Sequence, residues 1–170
     1  MTEINIENII SKAEKISEEL KPLMLAGKHT ASTAESCTGG LVARLFTEIP
    51  GSSEYYMGGV VSYTNEIKMA YLGVRSDTLE KYTAVSAQTA EEMACGVRNG
   101  MKTDFGLSVT GIAGPGGATE ENPVGSVYFG LSSTKGTQTF HKIFPGGRSA
   151  VRAQAALFIL EKLKEAIISI

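Results

Sequence analysis

Residues 124–144, VGSVYFGLSSTKGTQTFHKIF, decide the fold. Two β-rich runs, VGSVYFGLSS and TQTFHKIF, are separated by a Lys135-Gly136 turn, and a connection that short joins antiparallel neighbours in a hairpin. Just upstream, FGLSVTGIAG (105–114) is a run of the continuous apolar kind that a sheet buries on both faces. Three strands thus follow one another with no helix between them.

The part of the chain before them alternates instead. HTASTAE (29–35) reads as a strand, GGLVARLFTEI (39–49) as a helix closed by Pro50 and Gly51, and YYMGGVVSYT (55–64), rich in aromatic and β-branched residues, as the next strand. NEIKMAYLGV (65–74) is a short helix starting near Asn65, and Ser76 is expected to cap another over DTLEKY. Residues 86–102 form a helix capped by Ser86, with Ala90, Met93, Ala94, Val97 and Met101 in one stripe. Long helices flank the whole: residues 5–25, with Ile6, Ile9, Ile10, Ala13, Ile16, Leu20 and Leu23 at steps of three and four and Gly27 as the stop, and residues 151–170. Alternation calls for parallel strands and the terminal hairpin for antiparallel ones. The economical arrangement is α/β, a three-layer α/β/α sandwich with a mixed, mostly parallel sheet, in one domain over residues 1–170.

Composition excludes several classes of function. With 42% hydrophobic and 20% charged residues among 170, the chain has the makings of a globular core, and no apolar run approaches the ~18 to 20 residues that span a bilayer. The opening MTEINIENII lacks the basic start and cleavage site of a signal peptide, so a cytoplasmic location is expected, with no membrane partner. A net charge of -2 and the absence of a Lys/Arg run argue against a nucleic-acid partner. Cys37 and Cys95 have no CxxC or histidine neighbour at ligand spacing; free thiols, no metal and no cofactor are expected.

Three polar, glycine-containing junctions fall where strands end: ESCTGG, SYTNEIK and TGIAGPGGATEENPVG. Ligands in open α/β sheets favour the crevice outside the carboxyl ends of the strands, so these loops are expected to converge. In the first, Ser36 and Cys37 lie side by side, and Gly39 and Gly40 open a helix whose N–H groups can hold an oxyanion or anion. Ser36 is either a nucleophile or, like Thr38, a helix cap. A serine nucleophile needs a base. His29 precedes the first strand and His141 lies within a late one, which leaves Lys68 as the candidate, provided burial or a neighbouring cation lowers its pKa, with Tyr63 to relay the proton. The competing reading makes Lys68 a solvated helix residue and Tyr63 a sheet aromatic.

GIAGPGG, in the third junction, has neither the GxGxxG order nor the GK[ST] ending; it offers backbone amides or is a plain hairpin loop. Glu120 and Glu121 are general acids, metal ligands or solvated loop residues. Arg148 and Arg152 share a face at the start of the last helix, where positive charge opposes the macrodipole and hints at an anionic partner. Cys37 as nucleophile lacks its usual histidine.

Together, TAESCTGG, SYTNEIKMAYLGV, AVS, SVTGIAGPGG, NPVGSVYFG and GGRSAVR resemble the CinA C-terminal domain family, whose enzymatic members are nicotinamide mononucleotide (NMN) deamidases. The resemblance runs from Thr33 to Arg152. It implies an amidohydrolase of pyridine nucleotide salvage that converts NMN to nicotinate mononucleotide and ammonia, without a cofactor. Ser36 would attack the amide, Lys68 with Tyr63 would manage the proton, and the amides of Thr38, Gly39 and Gly40 would hold the oxyanion. Thr110, Gly111, Ala113 and Gly114 would line the pocket, and Arg148 would meet the phosphate. The alternative is a catalytically silent nucleotide-binding or protein-interaction module of the competence/damage type. A homodimer or higher homo-oligomer is the expected assembly.

Overall fold

The computed structural model describes residues 4–170. Its sheet has five strands: β1 (Ala31–Glu35), β2 (Tyr56–Val61), β3 (Phe105–Gly111), β4 (Ser126–Ser133) and β5 (Gly136–Ile143), in the order β2-β1-β3-β4-β5. β1 pairs in parallel with β2 and β3, whereas β4 runs antiparallel to both β3 and β5. Four strands therefore point one way and β4 alone is reversed, as the direct succession of the last strands requires.

Helices α1 (Ile6–Gly27), α2 (Leu41–Thr47) and α6 (Arg148–Ile168) cover one face. Their buried residues, among them Leu20, Met24, Phe46, Ile159, Leu160 and Leu163, enclose Leu107, Val109 and Phe129 of the sheet. Helices α3 (Asn65–Leu72), α4 (Ser76–Tyr82) and α5 (Ala87–Met101) cover the other, where Leu72, Val74, Met93 and Val97 pack on Ala34. α5 lies close against β3 and β4 because Gly106 and Gly130 present no side chain: a Cβ there would come within 2.2 Å of the Ala94 carbonyl and 2.5 Å of the Ala90 carbonyl. The three-layer sandwich expected from the order of elements is the one formed.

Local differences have local causes. α1 runs through Pro22 to Gly27, and Lys28 rather than Gly27 takes the left-handed turn that ends it. Ser76 is the first residue of α4, not its cap; Arg75 holds the cap position, and Glu92 of α5 accepts from the Arg75 N–H (2.9 Å) and the Thr78 hydroxyl (2.7 Å). Ser86 does cap α5, accepting from the Thr89 N–H at 3.2 Å. A 3-10 turn at Ser52–Glu54 was not foreseen. Among the described residues, no helix is long and apolar enough to cross a membrane.

Candidate active site

β1 and β2 end in one row, with Glu35 beside Val61, and the same row crosses β3 at Val109, two residues before that strand ends. The next residue along each chain is Ser36, Ser62 and, still within β3, Thr110, so three polar residues follow one another across this row. The Ser36 N–H donates to Val109 O (2.9 Å) and the Ser62 N–H to Glu35 O (2.8 Å), which extends the ladder into the junctions.

Lys68 reaches the same place from α3. Thr64 caps that helix, and Lys68 and Leu72, one turn apart, form its buried side. The lysine is 1% exposed, and its Nζ donates to Ser62 O (2.7 Å) and to Ser36 Oγ (3.2 Å). Among the described residues no carboxylate pairs with it. Burial therefore pushes the Lys68 pKa below the ordinary lysine value. A thiolate at Cys37 would push it back, but burial raises the Cys37 thiol to about 12, so the thiol is protonated wherever Lys68 titrates. The same burial leaves Cys37 a poor nucleophile. Ser36 is partly exposed beside it.

Around Ser36 the loop is held from two sides. The buried Glu35 carboxylate accepts from the N–H groups of Gly40 (3.1 Å), Val42 (3.0 Å) and Ala43 (2.8 Å), which satisfies the start of α2. Arg152 donates to Thr38 O from Nε (3.3 Å) and Nη2 (2.8 Å). These contacts revise the expected oxyanion cradle. The Gly40 amide is taken by Glu35 and the Gly39 amide donates to Ser36 O (3.1 Å), so neither is free. The Cys37 and Thr38 amides donate to no oxygen among the described residues and are the ones left beside the serine. The Thr38 hydroxyl is buried and unpartnered.

Tyr63 does not join the Ser36–Lys68 pair. It is 60% exposed, and its hydroxyl accepts from Arg148 Nη2 at 2.9 Å. Arg148 Nη1 donates to Gly114 O at 3.0 Å, so one guanidinium links the second and third junctions to the start of α6. It faces no carboxylate among the described residues, so its charge is not paired within the chain. Thr110 is buried and its hydroxyl donates to Ala84 O (2.7 Å), so it could meet a pocket ligand only as an acceptor. Gly111 closes β3 and Ala113 is buried; only Gly114 of this segment touches the Arg148 side of the site. Glu120 and Glu121 are exposed loop residues, and among the described residues no group of three or more His, Cys, Asp or Glu could hold a metal ion.

Sequence reasoning passed over Glu35 and Ser62. An acid shortly before a helix start signals dipole compensation, but Glu35 is five to eight residues from the amides it binds, beyond any capping-box spacing. Ser62 acts through its carbonyl, which no side-chain pattern can reveal. Two clefts among the described residues differ in their relation to the Ser36 loop. One, of about 390 Å³ between α1, α2 and α6, is lined by Gly39, Gly40 and Arg152. The other, of about 420 Å³, lies at the far end of the sheet against Phe105, Leu131 and Phe140, away from every candidate residue.

Fold and site define an α/β domain that presents a buried lysine and a serine at the carboxyl edge of its parallel strands. Residues 13–167 match the CinA C-terminal domain, and the chain belongs to that family. It is 49% identical over 142 residues to a CinA-like protein of Leptospira borgpetersenii, covering 83% of this chain and 34% of that one. The chain thus spans about a third of the length of such relatives. Among solved structures it is similar to a competence damage-inducible protein A of Klebsiella pneumoniae (31% identity, TM-score 0.89, covering 92% of this chain and 97% of that one). It is also similar to the competence/damage inducible protein CihA of Agrobacterium tumefaciens (39% identity, TM-score 0.86, covering 92% and 96%).

Proposed function

We propose that the chain is a serine amidohydrolase that converts NMN to nicotinate mononucleotide and ammonia. The observation that carries this reading is the Lys68 amine, buried without a carboxylate and 3.2 Å from Ser36 Oγ. A lysine whose pKa is lowered by burial is the base that a serine at its ordinary pKa lacks.

In this mechanism neutral Lys68, oriented by the Ser62 carbonyl, takes the Ser36 proton as Oγ bonds to the carboxamide carbon. The carbonyl oxygen becomes an oxyanion facing the Cys37 and Thr38 amides, donors that are fixed before the reaction starts. Protonated Lys68 then gives its proton to the departing nitrogen. The C–N bond breaks and ammonia leaves an acyl-serine. Water, losing a proton to Lys68, attacks that ester; the proton returns to Ser36 Oγ as nicotinate mononucleotide departs. Arg148 meets the phosphate. An amide has few handles of its own, and binding energy from the remote phosphate would hold the carbonyl against Ser36.

Ammonia release from NMN, nicotinamide, nicotinamide riboside and NAD tests the reading. NMN is expected to be the preferred substrate, with release abolished by Ser36→Ala. No release from any of the four would overturn it in favour of a silent binding module.

A further inference from the structure

We infer that Arg152 is a positioning residue for the reaction at Ser36, acting through the backbone of the loop rather than on the substrate. The inference rests on the amidohydrolase reading above. Arg152 brings Nε and Nη2 to one oxygen, Thr38 O, across 114 residues of sequence. The peptide that owns this oxygen also owns the Gly39 N–H, which donates to Ser36 O at 3.1 Å. The Ser36 carbonyl belongs in turn to the peptide carrying the Cys37 N–H, the first amide after the nucleophile. Two peptides therefore stand in series between the guanidinium and a candidate oxyanion donor. Hydrogen bonds in series polarise one another, so a cation at one end strengthens the donor at the other. It also fixes the turn that aims Ser36.

The surroundings fit that task. Gly39 has φ +60°, and a Cβ on it would lie 3.3 Å from Arg152 Nη2, so the guanidinium rests against bare backbone. Glu35 grips the same loop from the helix side through three amides, leaving the Cys37 and Thr38 N–H groups as the unengaged pair. Arg148 divides its terminal nitrogens between Gly114 O and Tyr63 Oη, whereas Arg152 spends two nitrogens on a single carbonyl of the loop that carries Ser36. Lysine, a point charge on a flexible stem, cannot reproduce that fork.

The test compares Arg152→Met and Arg152→Lys with the unaltered chain in two measurements. Amide hydrogen exchange, followed by NMR, reads the Gly39 N–H independently of activity; steady-state kinetics reads kcat and KM on NMN and on nicotinamide riboside. Arg152→Met is expected to speed Gly39 exchange and to lower kcat by about tenfold to a hundredfold on both substrates, with KM nearly unchanged. Arg152→Lys should fall between, and it carries the test alone if the methionine variant does not fold. A loss confined to KM and to the phosphate-bearing substrate would make Arg152 a ligand for phosphate and overturn the inference, as would unchanged exchange and unchanged kcat. Should the unaltered chain release no ammonia while Gly39 exchange still responds, the amidohydrolase reading falls and the role of Arg152 in holding the loop stands.

Discussion

Among the described residues, two serines lie within hydrogen-bond distance of a side chain that could take a proton; a third, Ser132, accepts from Arg98 Nε at 3.1 Å, and arginine keeps its protons in a protein. Ser126 Oγ is 2.8 Å from His141 Nε2, and Ser36 Oγ is 3.2 Å from Lys68 Nζ. The first pair looks more like a hydrolase dyad, yet its protons run the wrong way. Asn122 uses Nδ2 on Val85 O, so its Oδ1 is left to accept the one Ser126 proton at 3.0 Å; His141 must then donate to the serine rather than take from it. Ser126 is also fully buried and starts β4, where no substrate carbonyl can approach. Ser36 has an exposed flank, unengaged amides beside it and an amine that burial drives towards neutrality. A close base is thus not enough. Proton direction, room and unengaged amides are what set Ser36 apart from the structural hydroxyl of Ser126.

The contrast breaks first, and most sharply, at the serines. Ser36→Ala should lower NMN hydrolysis by at least about 10⁴-fold with little change in thermal stability. Ser126→Ala should keep the activity; the reverse result would exchange the two pairs. Next comes the base. Lys68→Arg retains charge but cannot release a proton in a protein, so a loss of about 10² to 10⁴-fold in kcat is expected, while His141→Phe stays near normal. Near-normal turnover in the arginine variant would show that position 68 supplies charge alone.

A smaller effect is expected at Arg148. Its replacement by alanine should cost about tenfold to a hundredfold in kcat/KM on NMN and little on nicotinamide riboside, which lacks the phosphate. Equal losses on both would place the phosphate elsewhere. The smallest effect sharpens the structural side of the comparison: Ser126→Ala removes a buried link between Asn122 and His141 and should cost about 1 kcal/mol, a fall in Tm of roughly 2–4 °C.

The architecture was legible because strand order follows from short connections and periodicity, which are local properties of the chain. The parallel half came from alternation and the reversed β4 from the Lys135-Gly136 turn. The site was legible only as far as side-chain types and strand ends carry. Ser36 and Lys68 do meet, since both follow strands ending in one row. Tyr63 was assigned to Lys68 from nearness in sequence, but it precedes the α3 cap Thr64 and is claimed by Arg148, 85 residues away. Thr110 was assigned to the pocket for its position at a strand end, and the Ala84 carbonyl, set by the α4–α5 connection, takes its hydroxyl. The Gly40 amide was expected to be free because helix starts usually are; Glu35 reaches over the junction and occupies it. Tyr63 and Thr110 have partners chosen by tertiary packing, while Gly40 has one close in sequence but beyond any capping spacing.

Placing an amine on the buried side of α3 with a carbonyl and a serine for company makes protonation a folding variable. Between the lowered Lys68 value and the ordinary one near 10.5, the folded chain lacks a proton that the unfolded chain holds. Unfolding in that interval takes up a proton, and stability rises as pH climbs through it. Calorimetric unfolding enthalpies in buffers of different ionisation heat should therefore diverge for the unaltered chain and converge for Lys68→Met. That variant removes the buried amine, and it should melt higher than its parent while hydrolysing nothing. The domain carries the buried Lys68 amine as a standing thermodynamic penalty, so a screen for thermostable mutants of this chain would tend to select against position 68.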